Sequence, residues 1–570
     1  MAAPHSVGEG KRKPGILQRY LPILEWLPQY QSSWLWYDIV AGLALWAVLV
    51  PTSMAYAGIA GVPPLVGLYA VPIPLIAYAI FGTSRTMVIG PDSATALISS
   101  VTVGALASQG SADFATLTSA LAMAVGVFFL VFGLLRMGWV ANFIPEPAMK
   151  GFIEGLVWVT VVGQVPKLFG VTSGDGNFFE KVWDIVSKLP NADPATTIVG
   201  LVSLGLLFAL KTFLPRVPAA LTVVVLAVTA VIIFDLDEKG VTLVGSQKAG
   251  LPPFGFPQVS LADWQAIIPG ALAIVLIGYA ESLGAAKAAS AKLGGKIDAN
   301  QELVSHGLAN FGTACSSGFV VVGSLSKTSV AMNAGGKTQL SNLVSAVFVI
   351  LTLMFLMPLF KSLPIAALGA IVIQAILGLS DFAYLKRLRD ISLKEFAVGM
   401  VALFGVLILG VLHGIGFGVV MALILLIHHA SYPTMSELGQ LPGDHFHDIS
   451  SHSDARRCPG LLILRFENSL LYVNANYFAD QVKLRIEEST EPVREVLIDC
   501  RPINLIDTTG AGALIGLSEE LRANGVRLSL AGARDAIRER VRRTGVEQAI
   551  GEERTYDTVT DGVKAFLRSS

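Results

Sequence analysis

At 570 residues, with 53% hydrophobic and 15% charged side chains and a mean hydropathy of +0.63, the chain is too apolar to dissolve as a single water-facing globule. Its formal net charge of −1 argues for neither a nucleic acid nor an acidic partner. Cys315, Cys458 and Cys500 are too few and too scattered for a disulfide framework or a four-ligand zinc site.

Residues 1–33 read as a cytoplasmic N-terminal segment. Lys11, Arg12, Lys13 and Arg19 are followed by Pro14, Pro22 and Pro28 with no short apolar core leading to a cleavage site, so a tail is expected, not a signal peptide. Residues 34–432 carry about fourteen apolar segments, two of them conspicuously short. Their centres fall near Leu45, Leu75, Leu97, Phe128, Val159, Gly205, Val225, Ile274, Leu308, Val330, Phe348, Ile371, Leu403 and Met421. With the N-terminus inside, alternate loops are basic: Arg85; Arg136 and Lys150; Lys211 and Arg216; Lys287, Lys292 and Lys296; Lys337; Lys386, Arg387 and Arg389. Positive charge is retained on the cytoplasmic side of a membrane protein. The remaining loops are acidic or neutral, with Lys181, Lys239, Lys248 and Lys361 as exceptions. An even number of spans returns the C-terminus to the cytoplasm, giving a multi-pass protein of the inner (plasma) membrane with both termini inside.

Residues 433–459 read as a polar linker in which His445, His447 and His452 are solvated, not metal ligands. Residues 460–570 alternate strand and helix patterns, the signature of a soluble α/β domain. Strands are expected at Leu461–Phe466, Leu470–Val473, Glu495–Ile498 and Val526–Leu530, and helices at Ala475–Glu487, Gly510–Asn524, Ala533–Thr544 and Val559–Arg568.

One pattern occurs twice. Val88-Ile-Gly90-Pro-Asp-Ser93-Ala94-Thr95 and Val321-Val-Gly323-Ser324-Leu-Ser326-Lys327-Thr328 both read V-x-G-x-x-S-x-T. Each starts extended, breaks at glycine and continues as a helix too short to cross a bilayer. They belong to the third and tenth segments, an odd number apart, so the copies run through the membrane in opposite senses. Paired broken segments in inverted halves mark the binding site of secondary transporters. Two half-helix N-termini pointing at each other gather backbone N–H groups and positive dipole ends, an arrangement that favours an anion. Intramembrane ionisable groups usually face a cavity, and two lie nearby: Glu281 within the eighth span and Lys327 at the start of the tenth segment. Glu281 is taken as the one carboxylate well inside a full-length span, with Asp92 at the start of a short segment and Asp38 and Glu154 nearer the membrane edges.

With these residues in view, the chain resembles the SulP family of anion transporters. The resemblance rests on Pro51-Thr-Ser-Met-Ala-Tyr-Ala57, Ala60-Gly-Val-Pro-Pro64, Gly67-Leu-Tyr69, Gly82-Thr-Ser-Arg85 and Gly90-Pro91 in the first half. In the second half it rests on Ala299-Asn-Gln-Glu-Leu303, Gly307-Leu-Ala-Asn310, Gly323-Ser-Leu-Ser-Lys-Thr328 and Gly336-Lys-Thr338. It implies about seven plus seven inverted segments, with a core domain moving against a gate domain. It also implies an anion site near Ser93, Ala94, Gly323, Ser324, Ser326 and Lys327, with Thr52, Ser53 and Tyr56 from the first helix and Glu281 from the eighth. Thr52 stands where many relatives carry Gln or Glu, and Lys327 where many carry Arg. Thr52 therefore supplies no coupling carboxylate, and Lys327 keeps the charge without the guanidinium fork. The C-terminal part resembles a STAS domain through Val496-Leu-Ile-Asp499 and Ile506-Asp-Thr-Thr-Gly510. That places Thr508 at the position phosphorylated in soluble relatives, against the plainer reading of a helix cap.

The expected function is secondary transport of a small inorganic or organic anion (sulfate, bicarbonate or dicarboxylate), coupled to protons or sodium, with Glu281 carrying the proton, in a homodimer held by the lipid bilayer. No cofactor or metal is implied. The absence of a G-x-x-x-x-G-K-[ST] sequence argues against a primary pump, and no enzymatic activity is expected. Two other readings are a membrane anion sensor signalling through the STAS domain and a nucleobase symporter of the related fold, the latter less suited to Lys327.

Overall fold

The computed structural model describes residues 20–569 apart from residues 110, 144, 173, 175, 215–216, 247–248, 294–295, 443–444 and 453. The basic N-terminal residues up to Arg19, and Arg216 and Lys248, lie outside the described residues. The chain divides into two compact units, Met1–Ala422 and Leu423–Ser570.

In the first unit the elements run α1 Leu35–Ala60, α2 Pro64–Tyr69, α3 Pro72–Phe81, β1 Val88–Pro91, α4 Ser93–Gly104, α5 Ala112–Leu134, α6 Glu146–Phe169, α7 Phe178–Lys188, α8 Pro194–Phe213 and α9 Ala219–Phe234. They continue as α10 Leu261–Leu293, α11 Ala299–Cys315, β2 Val321–Ser324, α12 Leu325–Asn333, α13 Leu340–Leu351, α14 Ile365–Leu377, α15 Phe382–Ile391, α16 Leu393–Leu409 and α17 Val411–Ser431, the last of which runs into the second unit. Each of the centres read from the sequence falls inside one of these helices. Among the described residues, 8 helical stretches are long and apolar enough to cross a membrane, and α4 and α12, at 12 and 9 residues, are too short to cross one unaided.

Local chemistry sets the boundaries. α1 stops where Gly61 takes a left-handed φ of 80° and its N–H bonds Ala57 O, the termination glycine permits without strain. α7 begins on a capping box between Asn177 and Glu180. Where α6 crosses α16 the backbones nearly touch: a Cβ on Gly151 would lie 1.9 Å from Gly399 O, so only glycine allows that approach.

Buried carboxylates staple the two halves together. Asp38 accepts from the N–H groups of Lys337 and Thr338 and from Thr338 Oγ1 at 2.7–3.1 Å. Glu302 accepts from Tyr78 Oη at 2.9 and 3.0 Å, and from Thr83 N and Oγ1. Glu154 accepts from Ser380 Oγ, Asp381 N and Trp158 Nε1. Glu154 is only 2% exposed and Glu302 is fully buried. Glu154 lies two turns inside α6, tolerated in its buried position because three donors solvate it.

In the second unit, β3 Met435–Leu441, β4 His445–Asp448, β5 Leu461–Phe466, α18 Ala475–Glu487, β6 Glu495–Asp499, α19 Thr508–Ala523, β7 Arg527–Ala531, α20 Asp535–Arg543, α21 Val546–Ile550, β8 Thr555–Tyr556 and α22 Val559–Ser569 follow in order. The sheet order is β4-β3-β5-β6-β7-β8, antiparallel from β4 to β5 and parallel from β5 to β8. Alternate residues face opposite layers: Leu462, Leu464 and Phe466 join the cluster containing Phe478, Leu514 and Ile537, while Leu461 and Ile463 pack with Val563 and Phe566. Two expectations are corrected. Residues 433–459, read as a linker, contain β3 and β4, because their outward polar side chains hide an edge ladder that pairs with β5. Leu470–Val473 is a turn with a single bridge from Leu470 to Ile506, since Leu470 N–H and O bond Leu505 and Asp507 across one residue only.

Candidate functional site

The two copies of the repeated pattern meet as β1 and β2, an antiparallel pair in which Val88 faces Ser324, Ile89 faces Gly323, Gly90 faces Val322 and Pro91 faces Val321. Exchanging the copies turns Val88 opposite Ser324 into Val321 opposite Pro91, so the register maps onto itself, as an inverted repeat requires. All eight strand residues are buried.

A buried two-stranded ribbon has two outer edges whose polar groups need partners, and side chains from flanking helices supply them. Asn310 on α11 brackets Val321, donating to its O at 2.8 Å and accepting from its N at 3.0 Å. Ser282 Oγ on α10 accepts from Gly323 N at 2.8 Å, and Thr328 Oγ1 accepts from Val88 N at 3.0 Å. Gln339 and Asn342 both donate to Met87 O. Asn310 had been noted only as part of a motif, and Ser282, Gln339 and Asn342 were not singled out as contributors. Their signal was present as amide and hydroxyl side chains within apolar helical runs.

The two helix starts differ. α4 begins after Asp92, whose carboxylate accepts from Ala94 N at 3.0 Å; a negative charge thus already occupies part of its positive end. α12 begins after Ser324, and no side chain caps it. Ser324 Oγ instead lies 3.1 Å from Ser326 Oγ. Ser326 is exposed, whereas Ser93, Ala94, Gly323 and Ser324 are buried. The open, donor-rich end belongs to the second copy.

Lys327, 3% exposed, donates to Pro91 O on the opposite strand, and its Nζ lies 5.1 Å from the ring centre of Tyr56 on α1, within cation–π range. Glu281 and Asp92 are its electrostatic neighbours, and both also act on Tyr56. Lys327 and Glu281 are not in ion-pair contact among the described residues. Unlike Glu154 and Glu302, the half-buried Glu281 carboxylate makes no hydrogen bond to any described residue. One ammonium therefore stands among two carboxylates and a phenol around an uncapped helix start. Thr52 and Ser53, on the same turn of α1 as Tyr56, contribute less visibly: Thr52 Oγ1 donates to Val48 O at 2.7 Å, and Ser53 Oγ is buried without a partner.

In the second unit, the cap of α19 is Asp507, which accepts from Gly510 N at 2.7 Å and from Tyr472 N at 2.8 Å. Thr508 is the first helical residue and is exposed, which corrects the reading of its hydroxyl as the cap. At the end of β6, burial pulls the pKa of Asp499 up, but hydrogen bonds from Arg501 and Arg465 outweigh that and hold it below the usual 3.8.

Two family profiles match the chain, the Sulfate permease family over residues 35–402 and the STAS domain over residues 452–562. The chain is 33% identical over 557 residues to a probable sulfate transporter of Mycobacterium tuberculosis, covering 97% of this chain and 98% of that protein. It is 30% identical over 573 residues to the chloroplastic sulfate transporter 4.1 of Arabidopsis thaliana, covering 96% and 82%. Among solved structures, the murine Solute Carrier 26 family member A9 anion transporter in the inward-facing state matches with a TM-score of 0.90 at 23% identity, over 99% of this chain and 97% of that one. The transmembrane domain of the cyanobacterium bicarbonate transporter BicA matches with a TM-score of 0.60 at 21% identity, over 69% and 98%. These structural likenesses speak for the fold.

Proposed function

The chain belongs to the sulfate permease family of anion transporters, and from that premise we propose that it imports a small oxyanion or carboxylate (sulfate, bicarbonate or a dicarboxylate) with protons, by alternating access. The observation that carries this reading is the uncapped start of α12 beside Lys327. Free N–H groups at a helix start and a fixed ammonium attract an anion of any of these kinds, because they read charge and size through main-chain groups. Ser93, Ala94, Gly323, Ser324 and Ser326 form the floor of this seat, with Tyr56 and the neighbouring turn of α1 as its wall.

Glu281 is the proton carrier in this reading. Its carboxylate has no hydrogen-bond donor to hold it ionised, and it shares the seat with Asp92, so an incoming anion meets negative charge unless a proton arrives with it. Anion and proton then favour each other's binding, as linkage requires. The N-terminus and the STAS domain lie on the cytoplasmic side of the inner membrane, two copies associate as a homodimer, and exposed Thr508 is a regulatory position on the soluble unit. The curated relatives are transporters, not enzymes.

The test is uptake of labelled sulfate, bicarbonate or dicarboxylate by proteoliposomes under an imposed pH gradient. Accumulation driven by acid on the side away from the soluble domain is expected. Binding without any net movement of these anions would support a sensor instead.

A further inference from the structure

Away from the seat between β1 and β2, α6 carries three polar side chains on one face: Thr160, Gln164 and Lys167, spaced at helical i, i+4 and i+7. A lysine in the last turn of a helix is ordinarily a solvated partner of the dipole. Lys167 is not. It is half-buried, and its Nζ is turned towards the last turn of α1, with only the carbonyl of Gly58 in reach among the described residues, at 3.5 Å, the outer limit for such a bond. No acidic group couples to it.

The other two members are buried and unsatisfied. Among the described residues, Gln164, 5% exposed, has no partner for Oε1, and Thr160, 2% exposed, has none for its hydroxyl. Thr160 is unusual in this respect, since Thr52, Thr118 and Thr352 all donate to the carbonyl four residues back at 2.7–2.8 Å. Polar atoms shut away without partners are costly in an apolar span. Their persistence on one stripe points to a partner met elsewhere in the working cycle. Together the stripe offers a hydroxyl, an amide and an unneutralised ammonium, a donor set that suits an anion.

We propose that Thr160, Gln164 and Lys167 form a second anion site, a relay on the route between the seat and the membrane face opposite the soluble domain, closed in this conformation by α14, whose Gly369 lies against Gln164 and Lys167, and by the last turn of α1, where Lys167 meets Gly58. The assignment rests on the transport reading and on the orientation proposed with it. It separates the two ends of the chemistry: α4 and α12 hold the anion, while α6 receives it or hands it on once α14 and α1 withdraw.

The experiment uses full-length protein in proteoliposomes carrying Gln164→Cys, probed by membrane-impermeant methanethiosulfonates bearing either a sulfonate or a trimethylammonium group, added on the face opposite the soluble domain. Modification above the rate of the unmutated protein is expected, with the sulfonate reagent favoured about tenfold by the local positive field. Sulfate should slow it. Adding Lys167→Met should abolish the charge preference, and Lys167→Arg should keep it. Thr160→Cys provides a second position with the same expectation should Gln164→Cys fold poorly. No modification at either position, modification only from the soluble-domain side, or a charge preference that survives Lys167→Met would overturn the assignment. Failure of the unmutated protein to move sulfate, bicarbonate or dicarboxylate while the lysine-dependent preference persists would count against the transport reading and leave the anion site standing.

Discussion

The ammonium of Lys327 donates to the main-chain carbonyl of Pro91, so the charge contributed by one repeat copy also fastens the other. Replacing it removes two things at once: the positive potential beside α12 and, among the described residues, the one side-chain donor reaching that carbonyl.

Lys327→Met is therefore expected to weaken sulfate binding by at least about tenfold and to cost about 1–3 kcal/mol in stability from the unpaired carbonyl. Lys327→Arg restores the charge and most of the affinity. Thermal shift across a sulfate titration separates the terms, because the melting temperature without sulfate reports the lost stability while its rise with the logarithm of sulfate concentration over Kd reports affinity. Unchanged affinity in Lys327→Met would show that the helix start acts without the ammonium.

Glu281→Gln keeps the size of the side chain and mimics its protonated form. The variant should still bind anion, lose the steep pH dependence of uptake and fail to concentrate substrate under a pH gradient. Counterflow and gradient-driven uptake, measured side by side in proteoliposomes, distinguish these. Gradient-driven accumulation by the variant would place the proton on another group, with Asp92, which acts electrostatically on Glu281, as the first candidate.

Gly151→Ala should destabilise the membrane unit, since its Cβ would enter Gly399 O at 1.9 Å; overpacking of this kind costs about 1–3 kcal/mol. Gly163→Ala, on the same helix with nothing within 4 Å of its Cβ, should be neutral or stabilising by about 0.5–1 kcal/mol. Melting of the detergent-solubilised variants, followed by loss of monodispersity, compares the two.

In the soluble unit, Asp499 is held below its ordinary 3.8 by Arg501 and Arg465 against the upward pull of burial. A depressed folded pKa means that its contribution is complete above the unfolded value and drains away as pH falls through the folded one. Asp499→Asn should lower stability at neutral pH by about 1–3 kcal/mol, and the gap to the unmutated protein should close in acid below 3.8. Proteolysis of the full-length protein in a urea series at several pH values reads this directly. A gap independent of pH would mean that Asp499 acts through shape alone.

Much of the membrane unit was legible because its signals are local. Apolar run length placed the segments, and the doubled V-x-G-x-x-S-x-T pattern located the ribbon and its inverted sense. What escaped were pairings between residues far apart in the chain. Asn310 and Asn342 look like helix-interior amides until the main-chain groups they serve are known, and the donors that satisfy Glu302 and Glu154 likewise come from distant parts of the chain. Asp92 carries a local signal, an acidic residue directly before a helix, though the sequence reading places it only at the start of a short segment. In the soluble unit, Leu461–Phe466 and Ala475–Glu487 emerge with the boundaries that periodicity predicts. β3 and β4 do not: β4 is a four-residue edge strand with one buried side chain, and β3, between β4 and β5, does not alternate in burial.

The ribbon formed by β1 and β2 has a further bearing on selectivity. α4 and α12 each continue from one of its strands, and the strands form one antiparallel ladder with four facing pairs, only alternate pairs of which exchange main-chain bonds. The spacing between the two helix starts is accordingly fixed by main-chain bonds, not by side-chain packing that could relax. On the proposed reading, an ion seated there would meet a gauge set by the ribbon, and changing the permitted ion would require altering the side chains that project into the opening.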